Sequence, residues 1–585
     1  MPTPEQYSTA EELERYLGDP LDPERAFCFR RSVELDEAEE YPEEATRLLE
    51  EWGMSQYFIP EESGGKLRSY EEVLMLLRVV SRRDLTTAIG YGKTYLGAVA
   101  VWVGGTPQQR RRLARIISNG EQVALGLTER AHGSDLLSAE VSARQTAGGY
   151  VIDGEKWLIN NATRGTALTV FARTDEAGGP RGFSLFLVEK KAVAAGSYTH
   201  SPKIKTLGIR GADISGIKFR ECEVAESALI GPRGSGLELA LRSLQVTRTI
   251  VPTLSLGAAD TALRCTLDFA LGRRLYGETV FDIPHARRTL VDAFIDLLIC
   301  ECVAIAAARA LHFAPEQMSV WSAVTKYFVP TRVEEIVRRL SVILGARHYL
   351  RDGHWWGVFQ KTLRDNALVG LFDGSTVVNL NAIALQLRHL TKGRATERDA
   401  EKARALVESV FTLARPLPEF NPAELTIFNR GQDCVLQALR HAAARLDDIK
   451  DEPGVDAGVL ASLSALAAEL LLRLEAHDKS LEDLVNASGQ AFGKSPETFD
   501  LAKDYCLIHA AASCLHTWLH NRQAFAPFFA RGEWLALALG RLLNSLGGRS
   551  ATPQASYAES AAEELSRLFR EDKLFSIVPL QLAGR

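Results

Sequence analysis

Four short stretches of this 585-residue chain combine residue types that could bind a cofactor and move a proton. In Leu127-Thr128-Glu129-Arg130-Ala131-His132-Gly133-Ser134-Asp135, Thr128 and Ser134 bring hydroxyls and Gly133 permits close backbone approach, as a loop wrapped around a dinucleotide requires. An ordinary polar loop has the same letters. In Gly154-Glu155-Lys156-Trp157-Leu158-Ile159-Asn160-Asn161, bulky apolar side chains could stack on a flat ring while Asn160 bonds its polar edge, although a plain strand accounts for the pattern equally well. Arg273-Arg274-Leu275-Tyr276-Gly277 pairs two guanidinium groups that suit a pyrophosphate, or that simply sit on the surface. In the stretch from Arg364 to Thr376, Asp373 is followed by Gly374, Ser375 and Thr376, which puts a carboxylate on exposed backbone with hydroxyls beside it. That aspartate could instead cap the next helix.

The elements that must carry these stretches change period along the chain. Up to about residue 120 apolar residues recur at helical spacing, as in Leu48, Leu49, Trp52 and then Tyr70, Val73, Leu74, Leu77, Val80. From about 121 to 225 the period falls to two, and Asp153-Gly154 supplies a turn signal that reads as a hairpin leading into Glu155–Asn161. Helical periodicity returns after Gly231-Pro232-Arg233-Gly234-Ser235-Gly236 and holds to about 390, with breaks near Gly277, Pro315 and Gly345. A charged stretch, TKGRATERDAEKARAL, and then Pro416, Pro418 and Pro422 lead into a further helical region. Its stripes, Leu460, Leu463, Leu466, Ala467, Leu470, Leu471, Leu474 and Trp534, Leu535, Leu537, Leu539, Leu542, Leu543, read as core-facing. The expected units are 1–120 (helical), 121–235 (β), 236–390 (helical bundle) and 391–585 (helical extension).

Composition excludes several classes. Apolar residues are 46% and charged residues 24%, so the chain can fill buried cores and is not disordered. A formal charge of −6 lacks the basic excess that a nucleic-acid backbone demands. Eight scattered cysteines offer no paired zinc motif and read as reduced structural thiols. The first residues have neither a basic nor an apolar signal region, and no run of 18 uncharged apolar residues predicts a membrane span, so a cytoplasmic location is expected.

Taken together, in this order and at these spacings, the four stretches resemble the acyl-CoA dehydrogenase family. TERAHGSD is similar to its T-E-x-x-x-G-S-D loop, GEKWLINNA to its G-x-K-x-W-I-T-N strand, RRLYG to its R-x-x-F-G turn, and LRDNALVGLFDGST to the segment that holds its catalytic carboxylate. The resemblance spans about residues 40 to 390. It implies a mostly α fold with an inserted β-barrel domain: a helical domain, the β domain and a four-helix bundle, here with a C-terminal helical extension like that of the very-long-chain members. It further implies FAD bound between the β domain and the bundle, flavin-dependent α,β-dehydrogenation of an acyl thioester of coenzyme A or acyl carrier protein, an electron-transfer flavoprotein or oxygen as acceptor, and a homodimer.

Carried over position by position, the resemblance assigns Asp373 as the base and Leu125, Leu127, Thr128, Gly133, Ser134, Leu158, Ile159, Asn160, Arg273, Tyr276, Ile343, Gly345, Ser375 and Val377 to the cofactor. Ser134, Thr247, Arg248 and Gly374 fall to the substrate, and no metal is implied. The departures are informative. The family's usual glutamate is Asp373, about 1.3 to 1.5 Å shorter in reach. Thr247 occupies the alternative base position and cannot act there. Leu158 stands where tryptophan usually meets the flavin, and Val342-Ile343-Leu344-Gly345-Ala346-Arg347-His348 lacks the glutamine and two glycines of the segment that reaches the neighbouring subunit's cofactor. Two rival readings keep the fold: a nitroalkane-oxidase-like enzyme, in which an aspartate is usual, and a degenerate member that binds a partner without turnover.

Overall fold

The computed structural model describes residues 5–394, 397–450, 452, 456–547 and 554–584; Ala395 and Thr396 of the charged stretch lie outside them. Six helices open the chain: α1 Ser8–Leu17, α2 Phe29–Ala38, α3 Glu43–Trp52, α4 Tyr70–Ser81, α5 Leu85–Gly104 and α6 Pro107–Ser118. Capping sets where the central pair begins. Ser69 accepts from the Glu72 N–H, and Asp84 accepts from the N–H groups of Thr86 and Thr87. Every residue of α4 is buried, and α5 is nearly as enclosed, so both are core helices rather than amphipathic surface ones.

Eight strands follow: β1 Val123–Gly126, β2 Ser142–Thr146, β3 Gly149–Asn160, β4 Ala167–Arg173, β5 Phe183–Glu189, β6 Tyr198–Ser201, β7 Ile214–Ala225 and β8 Leu229–Ile230. They form one sheet in the order β6-β7-β3-β2-β4-β5-β8, with β1 parallel to β4. The turn expected at Asp153-Gly154 is not there. The β2–β3 hairpin closes at Ala147-Gly148, between paired Thr146 and Gly149, and Asp153-Gly154 lies inside the twelve-residue β3 at a register shift against β7. Gly154 has φ +120° and its missing Cβ avoids Val141, so the glycine serves a bulge instead of a reversal. A second shift sits between Trp157 and Ile159, where Leu158 takes φ 63°.

The bundle comprises α7 Gly236–Ile250, α8 Thr253–Gly272, α9 Pro284–Phe313, α10 Met318–Leu344, α11 Val358–Val369 and α12 Thr376–Ala384. The extension adds α13 Leu387–Gly393, α14 Glu397–Phe411, α15 Cys434–Gln437, α16 Leu439–Asp448, α17 Ala457–Ser488, α18 Pro496–Asn521, α19 Pro527–Arg531, α20 Glu533–Ser545 and α21 Ala555–Arg570. These helices pack on α9 and α12, and their apolar residues join the same contiguous core as the bundle and the N-terminal helices, while the sheet has a smaller core of its own. Part of α17 is long and apolar enough to cross a membrane by length and composition, but Leu460, Leu463, Leu466, Ala467, Leu470 and Leu474 of its stripe are buried in that core. All eight cysteines are free and buried.

Candidate active site

The turn between α11 and α12 carries Asp373, and its backbone is held from three sides. The Arg248 Nε donates to the Asp373 carbonyl at 2.8 Å, the Lys326 Nζ donates to the carbonyls of Val369 at 2.6 Å and Gly374 at 3.4 Å, and the Asn379 amide donates to Gly374 and Ser375, each at 2.9 Å. Asp373 itself takes φ 59°, a left-handed conformation that an aspartate tolerates better than most residues. Gly374 follows at φ +95°, and a Cβ there would stand 2.8 Å from the Arg248 guanidinium, so only glycine lets that arginine reach the turn. The N-cap position of α12 is held by Ser375, whose side chain makes no capping bond, and not by Asp373. Freed from capping, Asp373 has its Oδ2 buried without a hydrogen-bond partner among the described residues.

Arg248 reaches this turn from α7, and Thr247 beside it lines a small cavity with Phe372. Two lysines also come, and neither was among the candidates. Lys93 on α5 stands 3.8 Å over the Phe372 ring, and Lys326 on α10 stands 5.4 Å from the same ring. Both interact electrostatically with Asp373, as does Arg248. A signal for them existed: each is a lone cation in a stretch of buried apolar helix, Leu85–Val103 for Lys93 and Met318–Pro330 for Lys326. An unpaired charge at such a place is costly and needs a reason.

Lys326 is fully buried, and burial pulls its ammonium down to about 7, against the attraction of Asp373 and with the repulsion of Arg248 and Lys93. In the unfolded chain the same group keeps its ordinary value near 10.5. Between these two values the unfolded chain holds a proton that the folded chain has released, so this group makes stability rise with pH from 7 toward 10. Below 7 both forms are charged and the burial cost is fully present. Thermal unfolding of wild type and Lys326→Met, compared from pH 6.5 to 9, is therefore expected to show the difference moving toward wild type by up to about 1.4 kcal/mol per pH unit. A difference independent of pH would refute the assignment.

The cofactor candidates divide into two groups. Thr128, on the loop after β1, donates its hydroxyl to the Trp157 carbonyl at 2.9 Å, and its carbonyl accepts the Trp157 N–H at 3.1 Å, which joins β1, with Leu125, and the loop after it, with Leu127, to the end of β3. Glu129, unremarked among the candidates, anchors that loop. It accepts from the Lys156 ammonium at 2.7 Å and from the N–H groups of Glu140 and Val141. Burial draws Lys156 down to about 8 despite Glu129. At the end of β3, Leu158 is half exposed on its bulge, while the Ile159 side chain is buried in the sheet core and can offer a ligand only its backbone. Both amide atoms of Asn160 are buried without a partner among the described residues, as is the Trp157 indole nitrogen. Orphaned donors and acceptors beside a bulged, half-exposed edge fit a planar ring with a polar rim. Asn161 ties this edge to α5 by donating to the Gly90 carbonyl at 2.9 Å, three residues before Lys93.

The remaining candidates make no hydrogen bond to that edge among the described residues. Gly133 and Ser134 lie on an exposed loop. Arg273 precedes an exposed hairpin, Arg274–Leu275 with Glu278–Thr279, whose tip residue Tyr276 is 96% exposed. Ile343 and Gly345 sit at the end of α10, and Val377 faces outward from α12. Arg364 and Asp365, conspicuous in the fourth stretch, serve position instead of chemistry. Arg364 bonds Asp36 on α2 and the Leu207 carbonyl, and Asp365 accepts from Lys361 and the Ile209 N–H, so α11 is fixed to the N-terminal helices and to the loop before β7.

Models of the acyl-CoA dehydrogenase family match the chain in three consecutive parts: the N-terminal domain over residues 3–121, the middle domain over 124–222 and the C-terminal domain over 234–387. The probable acyl-CoA dehydrogenase fadE25 of Mycobacterium bovis is 25% identical over 348 residues, covering 59% of this chain and 88% of that protein. Among solved structures, an acyl-CoA dehydrogenase complexed with FAD from Bacillus anthracis is similar in fold with a TM-score of 0.70 at 18% identity, over 97% of this chain and 95% of that one. The prolyl acyl carrier protein oxidase AnaB shares the fold without the extension, at a TM-score of 0.60 and 19% identity, over 65% of this chain and 98% of its own.

Proposed function

The chain belongs to the acyl-CoA dehydrogenase family, whose members are FAD-dependent oxidoreductases, and on that premise we propose that it dehydrogenates an acyl thioester between its α and β carbons with Asp373 as the base. The observation that carries this reading is the unpartnered, buried Oδ2 of Asp373 on a turn held by Arg248, Lys326 and Asn379. FAD, when bound, supplies the acceptor for the hydride that leaves the β carbon. The chain's own part is the α proton and the geometry around it. Asp373 takes that proton, and its peptide N–H, which makes no hydrogen bond among the described residues, polarises the thioester oxygen. Thr128, Leu158 and Asn160 would hold the isoalloxazine edge, with Asn160 supplying a donor and an acceptor that have no other partner among the described residues.

Exposed apolar residues on the bundle side, among them Tyr276, Val342, Tyr349, Leu371 and Val377, favour a homodimer in which Arg273, Tyr276, Ile343 and Gly345 meet the partner's cofactor. Free, buried thiols favour a reducing compartment such as the cytoplasm. The carrier is coenzyme A or acyl carrier protein, and the electron acceptor an electron-transfer flavoprotein or oxygen. The test is anaerobic mixing of the yellow holoenzyme with acyl-CoAs, acyl carrier proteins and nitroalkanes. Bleaching by acyl thioesters alone is expected. Bleaching by nitroalkanes alone would replace the reading with the oxidase, and a protein that takes up no FAD would replace it with a partner-binding role.

A further inference from the structure

A cavity of about 340 Å³ opens between α14, α16 and α18 of the extension, with no residue of the Asp373 turn or of the cofactor edge among its walls. Val407, Ala438, Ala442 and Leu519 give it a buried apolar lining. The rest is polar: His441, His516 and His520 with Arg404 and Arg445, and the exposed Glu401 and Glu408.

His516 is the anomaly. It is 1% exposed, and its Nε2 stands 3.0 Å from the Val435 carbonyl. A carbonyl can only accept, so Nε2 carries the ring proton and Nδ1 is left a bare acceptor. That Nδ1 is buried with no hydrogen-bond partner among the described residues. Burial, with repulsion from His509 and Arg445, draws His516 down to about 4 against the pull of the Val435 carbonyl and Asp433, so the ring stays neutral at pH 7. No other histidine supplies the missing donor. The ring of His520 lies 6.4 Å from that of His516, and no hydrogen bond joins them. A buried acceptor left bare is costly and calls for a donor.

The arginines have the opposite want. Arg404 and Arg445 make no hydrogen bond and no ion pair among the described residues, so both planar forks keep their donors free. Arg445 is half-buried and repels a proton from all three histidines. The glutamates do not offset it there: the charged groups acting on His441 are Arg404, Arg445 and Asp448, and His520, held near 3 by burial, feels Arg445 and its two histidine neighbours. An occupant must therefore accept from two guanidinium groups and donate to a neutral imidazole.

We propose that this cavity binds hydrogen phosphate, whose bare oxygens take the arginine donors while its hydroxyl donates to His516. Sulfate has a similar shape and charge but carries no proton at neutral pH. A phosphate monoester loses its own above about pH 6. A metal cation would face the two guanidinium groups, and no cluster of metal ligands occurs among the described residues. The site is independent of the reaction proposed at Asp373.

The test is calorimetry in phosphate-free buffer near neutral pH on the yellow holoenzyme, whose bound FAD keeps the cofactor's own phosphate site filled. Inorganic phosphate, sulfate and glycerol 3-phosphate are titrated separately, and phosphate is expected to bind at least about tenfold tighter than either of the others. Arg445→Gln is expected to weaken phosphate by about 10- to 10²-fold, the scale of a charge-assisted hydrogen bond, with flavin content unchanged. His516→Leu removes the bare acceptor and is expected to bring phosphate down to the level of sulfate. Should His516→Leu fail to fold, Arg445→Gln and Arg404→Gln decide the question in its place. No phosphate binding, sulfate bound as tightly as phosphate, a preference for glycerol 3-phosphate, or phosphate binding untouched by Arg445→Gln would overturn the proposal.

Discussion

Asp373→Asn is expected to retain FAD and the fold while slowing flavin reduction by at least about 10²-fold, the usual worth of a general base. The amide is nearly isosteric, and the carboxylate is not what holds the turn: Arg248, Lys326 and Asn379 bind backbone carbonyls and leave Oδ2 unpartnered. Stopped-flow reduction under anaerobic conditions measures the effect, and a near wild-type rate would show that the base lies elsewhere. Asp373→Glu asks the complementary question. The turn around Asp373 is crowded by the Arg248 guanidinium against Gly374 and by Phe372 under Lys93, with Asp373 already left-handed. An added methylene must push the carboxylate toward the substrate's α carbon, and an error there costs about 10²-fold. Faster turnover by the glutamate variant would mean that the turn has slack that its contacts do not suggest.

The second large effect lies far from the cofactor. The chain's last segment turns back into the core after α21, where Leu574, Phe575, Ile577 and Leu580 are buried and four charged residues receive it. Arg78 on α4 pairs with Glu301 on α9 and donates to the Phe575 carbonyl at 3.0 Å. Glu301 also accepts from the Ser576 hydroxyl and, at 2.7 Å, from the Ile577 N–H. Asp260 on α8 accepts the Phe575 N–H at 3.1 Å, and Arg264 donates to the Lys573 carbonyl. Arg78, Glu301 and Asp260 are fully buried. Glu301→Ala leaves Arg78 charged and unpaired in that setting and is expected to cost about 3–5 kcal/mol. Deleting residues 573–585 removes several partners at once and opens an apolar hole, so insoluble protein or a collapse of the urea midpoint is expected. A soluble, FAD-binding truncate with the wild-type midpoint would show that the segment merely decorates the core.

The sequence by itself determined the fold class and the cofactor. Helical spacing gives way to period two and returns, and four stretches in that frame carry the family resemblance, because periodicity and glycine punctuation are local properties that survive in one dimension. It also singled out Asp373, since of the two positions at which the family carries its base only this one holds a carboxylate, Thr247 standing at the other. Tertiary structure decided what distant residues do to one another. Asp153-Gly154 has a turn's letters, but pairing with β7 keeps the strand running and spends the glycine on a bulge. Asp373 has a cap's letters, but the N-cap position of the helix falls two residues later, at Ser375. Glu129 and Lys156, 27 residues apart, meet only because two strands of the sheet bring the loop over β3. Lys93 and Lys326 come from helices more than 200 residues apart and converge on one phenylalanine ring, and the final segment is bound by side chains up to 570 residues away. Such contacts depend on where the folded layers place charges that would be solvated in the open chain. The desolvation that makes a lone ammonium costly, and therefore informative, exists only once the core has closed around it.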